Sequence, residues 1–300
     1  MQTETFSPRF EELDRWSSLD AAAAMFEGQL AAVAALSPAL PAIAAAADAA
    51  AARLAAGGRL VYAGAGTSGR IGVQDGTELT PTFDWPEDRL AFAMAGGDSA
   101  LSRSSEGAED DRGAAIEACE RLRIGADDVV IGIAASGRTP FTIALIETSR
   151  AAGALTIALA NNGGTPLLTA AEHAILVETG PEVLAGSTRM KAGTAQKAVL
   201  NIVSTLVMIR LGRVYRGLMV DMRARNAKLL KRLEAMVDRL TGCGPQAAAE
   251  AVTTAGGKIK LAVLIAAGAA PNDALRMLDE SGGDLRGAML AAGLPPVEIR

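Results

Sequence analysis

From residue 59 to about residue 215 the chain alternates short apolar runs with longer stretches of mixed polarity. The runs near 59–63, 89–94, 128–134, 154–160 and 174–178 are continuous rather than alternating, as expected of strands covered on both faces. Between them, stretches near 68–79, 109–122, 139–152, 165–171 and 187–212 have helical patterning. Strand and helix in turn predict a three-layer α/β sandwich around a mainly parallel sheet of five strands. Upstream, Ser18 or Asp20 is placed to cap a helix running through Leu36. Ser37-Pro38 suits the cap and first turn of a second helix, which Gly57-Gly58 ends. Residues 1–16 read as an extended arm anchored by Phe6, Phe10 and Trp16. After about Tyr215 the strand signal stops. Asp221–Leu240 reads as a charged amphipathic helix, and breaks at Gly256-Gly257, Pro271-Asn272 and Ser281-Gly282-Gly283 leave three or four short helices. Leu261–Ile265, flanked by alanines, reads as a buried helix rather than a strand. The expected division is an arm with helices over 1–56, an α/β domain over 57–222 and a small C-terminal helical bundle over 223–300.

Composition narrows the chemistry. Half of the 300 residues are apolar but only 3% are aromatic, so the core must be built from small aliphatic side chains. Alanine-rich runs such as Ala21–Ala24 and Ala44–Ala52 favour helix. A net charge of −5 argues against a nucleic-acid footprint. No apolar run is expected to approach a membrane span, and Met1-Gln2-Thr3-Glu4 lacks the basic start and apolar core of a signal peptide. Cys119 and Cys243 are too few and too distant for a disulfide framework. These features together predict a cytosolic protein. The single histidine, His173, precedes an apolar run and reads as structural. No cluster has zinc spacing and no Gly-x-Ser-x-Gly elbow occurs. Carboxylates and hydroxyls are left to carry any catalysis.

Two turns share one design. Leu60–Ala63 runs into Gly64-Ala65-Gly66-Thr67-Ser68-Gly69-Arg70, and Val129–Ile133 runs into Ala134-Ala135-Ser136-Gly137-Arg138-Thr139. Hydroxyls and backbone N–H groups at a helix N-terminus bind anions without a buried counter-charge. Two such turns on neighbouring strands predict one anionic ligand, a phosphate, held between them. The first turn also spells Gly-x-Gly-x-x-Gly. A dinucleotide site would need an acid closing the next strand, but the first acid after that strand is Asp98, behind Gly96-Gly97. The second Ser-Gly-Arg turn has no role in that fold.

Two acidic stretches complete the pattern, Asp75–Glu78 after the first turn and Glu106–Asp111 after the second strand. A solvated helix face would account for Glu78, and dipole compensation in a first helical turn would account for Glu109-Asp110-Asp111.

The two turns resemble the phosphate loops of sugar isomerase (SIS) domains. The segment from Gly180 through Glu182, Ser187-Thr188-Arg189-Met190-Lys191 and Ala192-Gly193-Thr194-Ala195-Gln196-Lys197 closely resembles the signature of N-acetylmuramic acid 6-phosphate etherases. The acidic stretches match that family as well, and the resemblance covers nearly the whole chain. It implies a three-layer SIS-type fold and cleavage of the lactyl ether at C3 of N-acetylmuramate 6-phosphate. On that resemblance Glu78 falls on the proton donor and Glu109 on the second catalytic carboxylate, with the reverse assignment open. Thr67, Ser68, Gly69, Ser136, Gly137 and Thr139 would hold the 6-phosphate, and Ser187 would join the substrate site. Glu182 would bind the sugar, help open its ring or serve the fold alone. Arg70 and Arg138 would pair with carboxylates of the fold. A homodimer is expected, with no nucleic-acid or membrane partner. A sugar-phosphate isomerase and a sugar-phosphate-sensing SIS regulator are the competing readings.

Overall fold

The structure, a computed structural model, describes residues 1–103, 107–222 and 227–294. In chain order, three short 3-10 turns lead into α1 (Ser18–Ala34) and α2 (Leu40–Ala55). Then come β1 (Leu60–Gly64), α3 (Gly66–Thr77), α4 (Leu79–Phe83), β2 (Leu90–Met94) and α5 (Arg112–Leu122). β3 (Val129–Ile133), α6 (Pro140–Ala151), β4 (Leu155–Ala160), α7 (Pro166–Ala170), β5 (His173–Leu176) and α8 (Lys191–Arg210) follow. A hairpin of β6 (Val214–Tyr215) and β7 (Leu218–Met219) precedes α9 (Ala227–Thr241), α10 (Pro245–Thr254), α11 (Ile259–Ala266), α12 (Pro271–Glu280) and α13 (Leu285–Ala291). The chain forms two compact units, Met1–Thr77 with Glu87–Val207, and Glu78–Pro86 with Met208–Arg300.

The first unit holds a five-stranded sheet in the order β2-β1-β3-β4-β5, with every pair parallel. Alternate residues of the strands face opposite layers. Val61, Ala63, Val130 and Ala158 join Ala115 and Ala118 of α5, Phe141 and Ile146 of α6 and Leu167 of α7 in one core. Tyr62 points to the other side, onto Gly72 and Gly76 of α3. A Cβ at Gly76 would lie 2.7 Å from the Phe92 ring, so the glycine lets α3 sit down on aromatic side chains. In the second unit the apolar sides of α9 to α13 close a separate core around Leu233, Val237, Leu240, Val252, Val263 and Leu264.

Several expectations change. The stretch 68–79 is not one helix: α3 ends at Thr77, and α4 follows with Pro81 inside it. α5 begins at Arg112, three residues later than the pattern predicts. The β6–β7 hairpin contradicts an end to strands at Tyr215. Ser17, rather than Ser18 or Asp20, caps α1, accepting the Asp20 amide at 3.1 Å. Two helical stretches, Ser18–Ala55 and Lys191–Arg210, do reach the length and apolarity of a membrane span, contrary to the reading of the sequence. The first is broken by a 3-10 turn at Ser37–Ala39. The second buries Ala192, Ala195, Val199, Leu200 and Val203 in the protein, as a core helix does.

Candidate functional site

In a sheet of this order the chain leaves β1 toward β2 on one side and reaches β3 on the other, so the crevice between β1 and β3 is the topological switch point. Ligands of open α/β sheets bind there, outside the carboxyl ends of the strands. Both Ser-Gly-Arg turns open onto that crevice. Gly64 and Ile133, the last residues of β1 and β3, are register partners, so the turns leave the sheet at the same level.

The first turn depends on close approach. A Cβ on Gly69 would lie 2.8 Å from the Gly64 carbonyl oxygen, and one on Gly64 would lie 2.9 Å from the Gly69 amide nitrogen. Glycine at both positions lets the first turn of α3 meet the end of β1. Thr67 is half-buried and Ser68 buried there. In the second turn Gly137 has φ +64°, and a Cβ on it would lie 2.2 Å from Thr165 Oγ1. The Ser136 hydroxyl accepts the Arg138 amide at 3.1 Å. Thr139 is the N-cap of α6 but makes no side-chain cap bond, and Pro140 follows at the first helical position. The amides of that first turn lack intrahelical acceptors, which favours an anion.

A pocket of about 380 Å³ lies beside the second turn, walled by Arg138, Asn162, Gly163, Thr165 and Glu178 and by the start of the chain. The Thr165 hydroxyl is buried there without a hydrogen-bond partner. Arg70 donates to the backbone carbonyls of Ala100, Leu101 and Arg103, not to a carboxylate. It thereby fastens α3 to the chain beyond β2.

Glu182 is 1% exposed. Its two oxygens accept the Lys191 and Ala192 amides, both at 2.9 Å. The side chain thus caps α8, and both oxygens are engaged. Ser187 sits in the preceding turn, where its carbonyl accepts the Met190 amide at 3.1 Å. Glu109 lies exposed in a 3-10 turn, Ala108–Asp110, and takes no part in capping α5. That function belongs to Asp111, which accepts the Ala114 amide at 2.9 Å. Glu106 lies outside the described residues. Glu78 falls in the second unit. It is exposed, its backbone carbonyl accepts the Thr82 amide, and its side chain makes no cap bond to α4.

Asp75, one helical turn before Glu78, is buried. Its carboxylate accepts the Tyr62 hydroxyl at 2.7 Å, the Asn201 side-chain amide at 2.5 Å and the Ser204 hydroxyl at 3.3 Å. Burial, with the Asp75 charge and hydrogen bond, pushes the Tyr62 phenol well above its usual range. Asn201 also receives a bond from Lys197. The network joins α3 to α8 and was not visible in the sequence as a unit. Its only signal is the i, i+3 spacing of Asn201 and Ser204. His173 starts β5, at the opposite end of the strands from the two turns. A larger pocket, about 670 Å³, lies in the second unit between Asp221, Met222, Lys258 and Leu275 and holds none of the predicted site residues.

A model described as the glucokinase regulatory protein N-terminal SIS domain matches residues 42–150, and one for the SIS domain matches residues 114–206. The chain is 48% identical over 286 residues to the N-acetylmuramic acid 6-phosphate etherase of Deinococcus radiodurans, covering 95% of this chain and 94% of that protein. The same identity holds over 293 residues with the etherase of Streptomyces coelicolor, covering 97% and 94%. The chain belongs to the N-acetylmuramic acid 6-phosphate etherase family. A crystal structure of a sugar-phosphate isomerase candidate from Listeria monocytogenes superposes with a TM-score of 0.50 at 18% identity. It covers 64% of this chain and 88% of that one, a likeness of fold alone. Family membership and five-stranded parallel architecture are therefore as the sequence led one to expect.

Proposed function

We propose that this protein cleaves the D-lactyl ether of N-acetylmuramate 6-phosphate, giving N-acetylglucosamine 6-phosphate and D-lactate. The observation that carries the reading is the pair of hydroxyl-bearing turns at the β1/β3 crevice in a chain 48% identical to the etherases over 95% of its length. Thr67 and Ser68 with Gly69, and Ser136 with Gly137 and Thr139, hold the 6-phosphate through hydroxyls and backbone amides. The open-chain aldehyde at C1 acidifies the C2 proton. Glu109 takes that proton, the C2–C3 double bond forms, and the C3–O bond breaks. Glu78 delivers a proton to the departing lactate oxygen, so lactate leaves with its own oxygen. Glu78, now ionised, activates water, which adds to C3 while C2 is reprotonated. Two carboxyl groups suffice for this acid–base sequence, and no metal or organic cofactor enters it. Ser187 joins the substrate site from the turn before α8, and Glu182 supports that turn by capping the helix. The reaction suits cytosolic recycling of cell-wall amino sugars, and both Cys119 and Cys243 are free thiols.

The active unit in this proposal is a homodimer. α1 is apolar on both sides. Ala24 and Ala32 are buried, while Leu19, Phe26, Leu30 and Val33 are 79%, 65%, 56% and 52% exposed. Their spacing sets them along one face of the helix, and a second copy of the same face covers them.

Release of D-lactate from N-acetylmuramate 6-phosphate by the purified protein tests the activity. Isomerisation of a sugar phosphate without lactate would favour an isomerase. Tight binding of the sugar phosphate without turnover would favour a sensor.

A further inference from the structure

The first residues of the chain are fastened to its own fold rather than extended. Thr3 is fully buried and is held by Asn162, in the turn after β4. The Asn162 side-chain carbonyl accepts the Thr3 amide at 3.3 Å, and the Asn162 amide nitrogen donates to the Thr3 hydroxyl at 2.9 Å. The same nitrogen donates its second hydrogen to the Ala135 carbonyl at 2.9 Å. Ala135 directly precedes Ser136, and its carbonyl also accepts the Asn161 amide at 3.0 Å. On the opposite side, the Thr3 carbonyl accepts the Gly186 amide at 3.3 Å, one residue before Ser187. The carboxylate of Glu4 lies close against Gly186, 2.9 Å from where a Cβ would stand. One buried threonine therefore bonds directly to the residue before Ser187 and, through Asn162, reaches the residue before Ser136, so it is linked to two of the segments that bear predicted ligand residues.

We infer that Thr3 is a positioning residue for the anion site, acting through Asn162 on the Ala135–Ser136 peptide and through its own carbonyl on Gly186–Ser187. The inference rests on the reading of the Ser136 turn as a phosphate ligand. Asn162 is 4% exposed, and a side-chain amide offers two donor hydrogens and two acceptor lone pairs. Thr3 occupies one donor and one acceptor, and Ala135 takes the other donor. With Thr3 in place the amide can face only one way, and its hydrogen is aimed at Ala135. Without the Thr3 hydroxyl a buried N–H is left unpaired. The side chain then gains by turning away, and the peptide before Ser136 loses its second tether.

The test is binding of inorganic phosphate to the full chain, followed by calorimetry or phosphorus NMR, because this readout does not depend on turnover. Thr3→Val keeps the volume and removes the hydroxyl. It is expected to weaken phosphate binding by about tenfold, the effect of losing roughly one hydrogen bond. Thr3→Ser is expected to restore it. Thr3→Val combined with Asn162→Ala should bind no worse than Asn162→Ala alone, because both act on one peptide. In steady state the rise in KM should exceed the fall in kcat. Phosphate affinity equal to wild type in Thr3→Val, with only Tm lowered, would overturn the inference. If Thr3→Val does not fold, Asn162→Ala is read by the same criterion. A wild-type protein that binds no phosphate would overturn the cradle itself, and the inference with it.

Discussion

The Asp111 carboxylate accepts the Ala114 amide at 2.9 Å and so starts α5, leaving Glu109 two residues before the cap with no part in it. The pair separates two acids that look equivalent in the sequence. Asp111→Ala is expected to lower stability by about 1 kcal/mol, the usual worth of an N-cap, with turnover largely kept. Glu109→Gln should leave Tm close to wild type and reduce lactate release by about 10²–10⁴-fold. Thermal melts and a lactate assay on both variants check this. A Glu109→Gln protein with normal turnover would remove that residue from the reaction.

Glu78→Gln is expected to keep the fold and lose lactate release by a similar factor. If Glu109 acts first, the variant should still exchange the C2 proton of the substrate with solvent deuterium, which NMR detects. Absence of exchange in Glu78→Gln, with exchange retained in Glu109→Gln, would reverse the two assignments.

Ser68→Ala and Ser136→Ala each delete a hydroxyl from the crevice between β1 and β3. A hydrogen bond to a charged group is worth roughly 1.5–3 kcal/mol, so phosphate affinity should fall about ten- to a hundredfold in each. Gly69→Ala should do more, lowering Tm as well, because its Cβ would meet backbone rather than a movable side chain. Titration with phosphate and thermal melts separate the two effects.

Asp128, at the start of β3, receives the Arg59 guanidinium at 2.7 Å. Burial pushes its carboxyl up, but the Arg59 hydrogen bond, the Gly125 amide and the Arg59 charge outweigh this and hold it below the usual range. A depressed carboxyl contributes stability above its unfolded value, near 3.8, and loses it as pH falls through the lower folded value. Asp128→Asn should therefore cost about 1–2 kcal/mol near neutral pH, a figure reduced by the partial exposure of Arg59. The difference from wild type should close below about pH 4. Denaturant melts across that range check the sign.

The exposed stripe on α1 gives a further outcome. Phe26→Glu with Leu30→Glu should leave the protomer folded and shift the mass by light scattering from dimer to monomer. A wild-type monomer at working concentration would contradict the dimer. Mixing Glu78→Gln with Glu109→Gln protomers, under conditions of subunit exchange, then asks whether one site draws its carboxylates from two chains. Regained activity would mean that it does.

The central strands β1, β3 and β4 were legible because both of their faces are buried, so each is a continuous apolar run. The half-buried edge strands β2 and β5 were legible from their short apolar runs, Leu90–Met94 and Ala174–Leu176. The hairpin was hidden because each strand has two residues and its turn, Arg216-Gly217, places an arginine at φ +50° where asparagine or aspartate is the usual signal. The cradle was legible because its chemistry is local, a few consecutive small and hydroxyl residues after each strand. Thr3 and Asn162 were not, since each acts through tertiary contacts. Thr3 and Asn162 are 159 positions apart, and no periodicity marks a buried polar pair. Glu182 was marked by the signature segment, with binding the sugar, opening its ring or serving the fold left open. Its role as a buried cap was hidden because it depends on the chain turning back onto the amides of α8.

The central claim, that the lactyl ether is cleaved at the C3–O bond by elimination and hydration, is tested most directly by turnover of N-acetylmuramate 6-phosphate in ¹⁸O-labelled water. Mass spectrometry of both products should place the label at the C3 hydroxyl of N-acetylglucosamine 6-phosphate and leave the D-lactate hydroxyl unlabelled. Label in the lactate hydroxyl, or no lactate at all, would contradict the account.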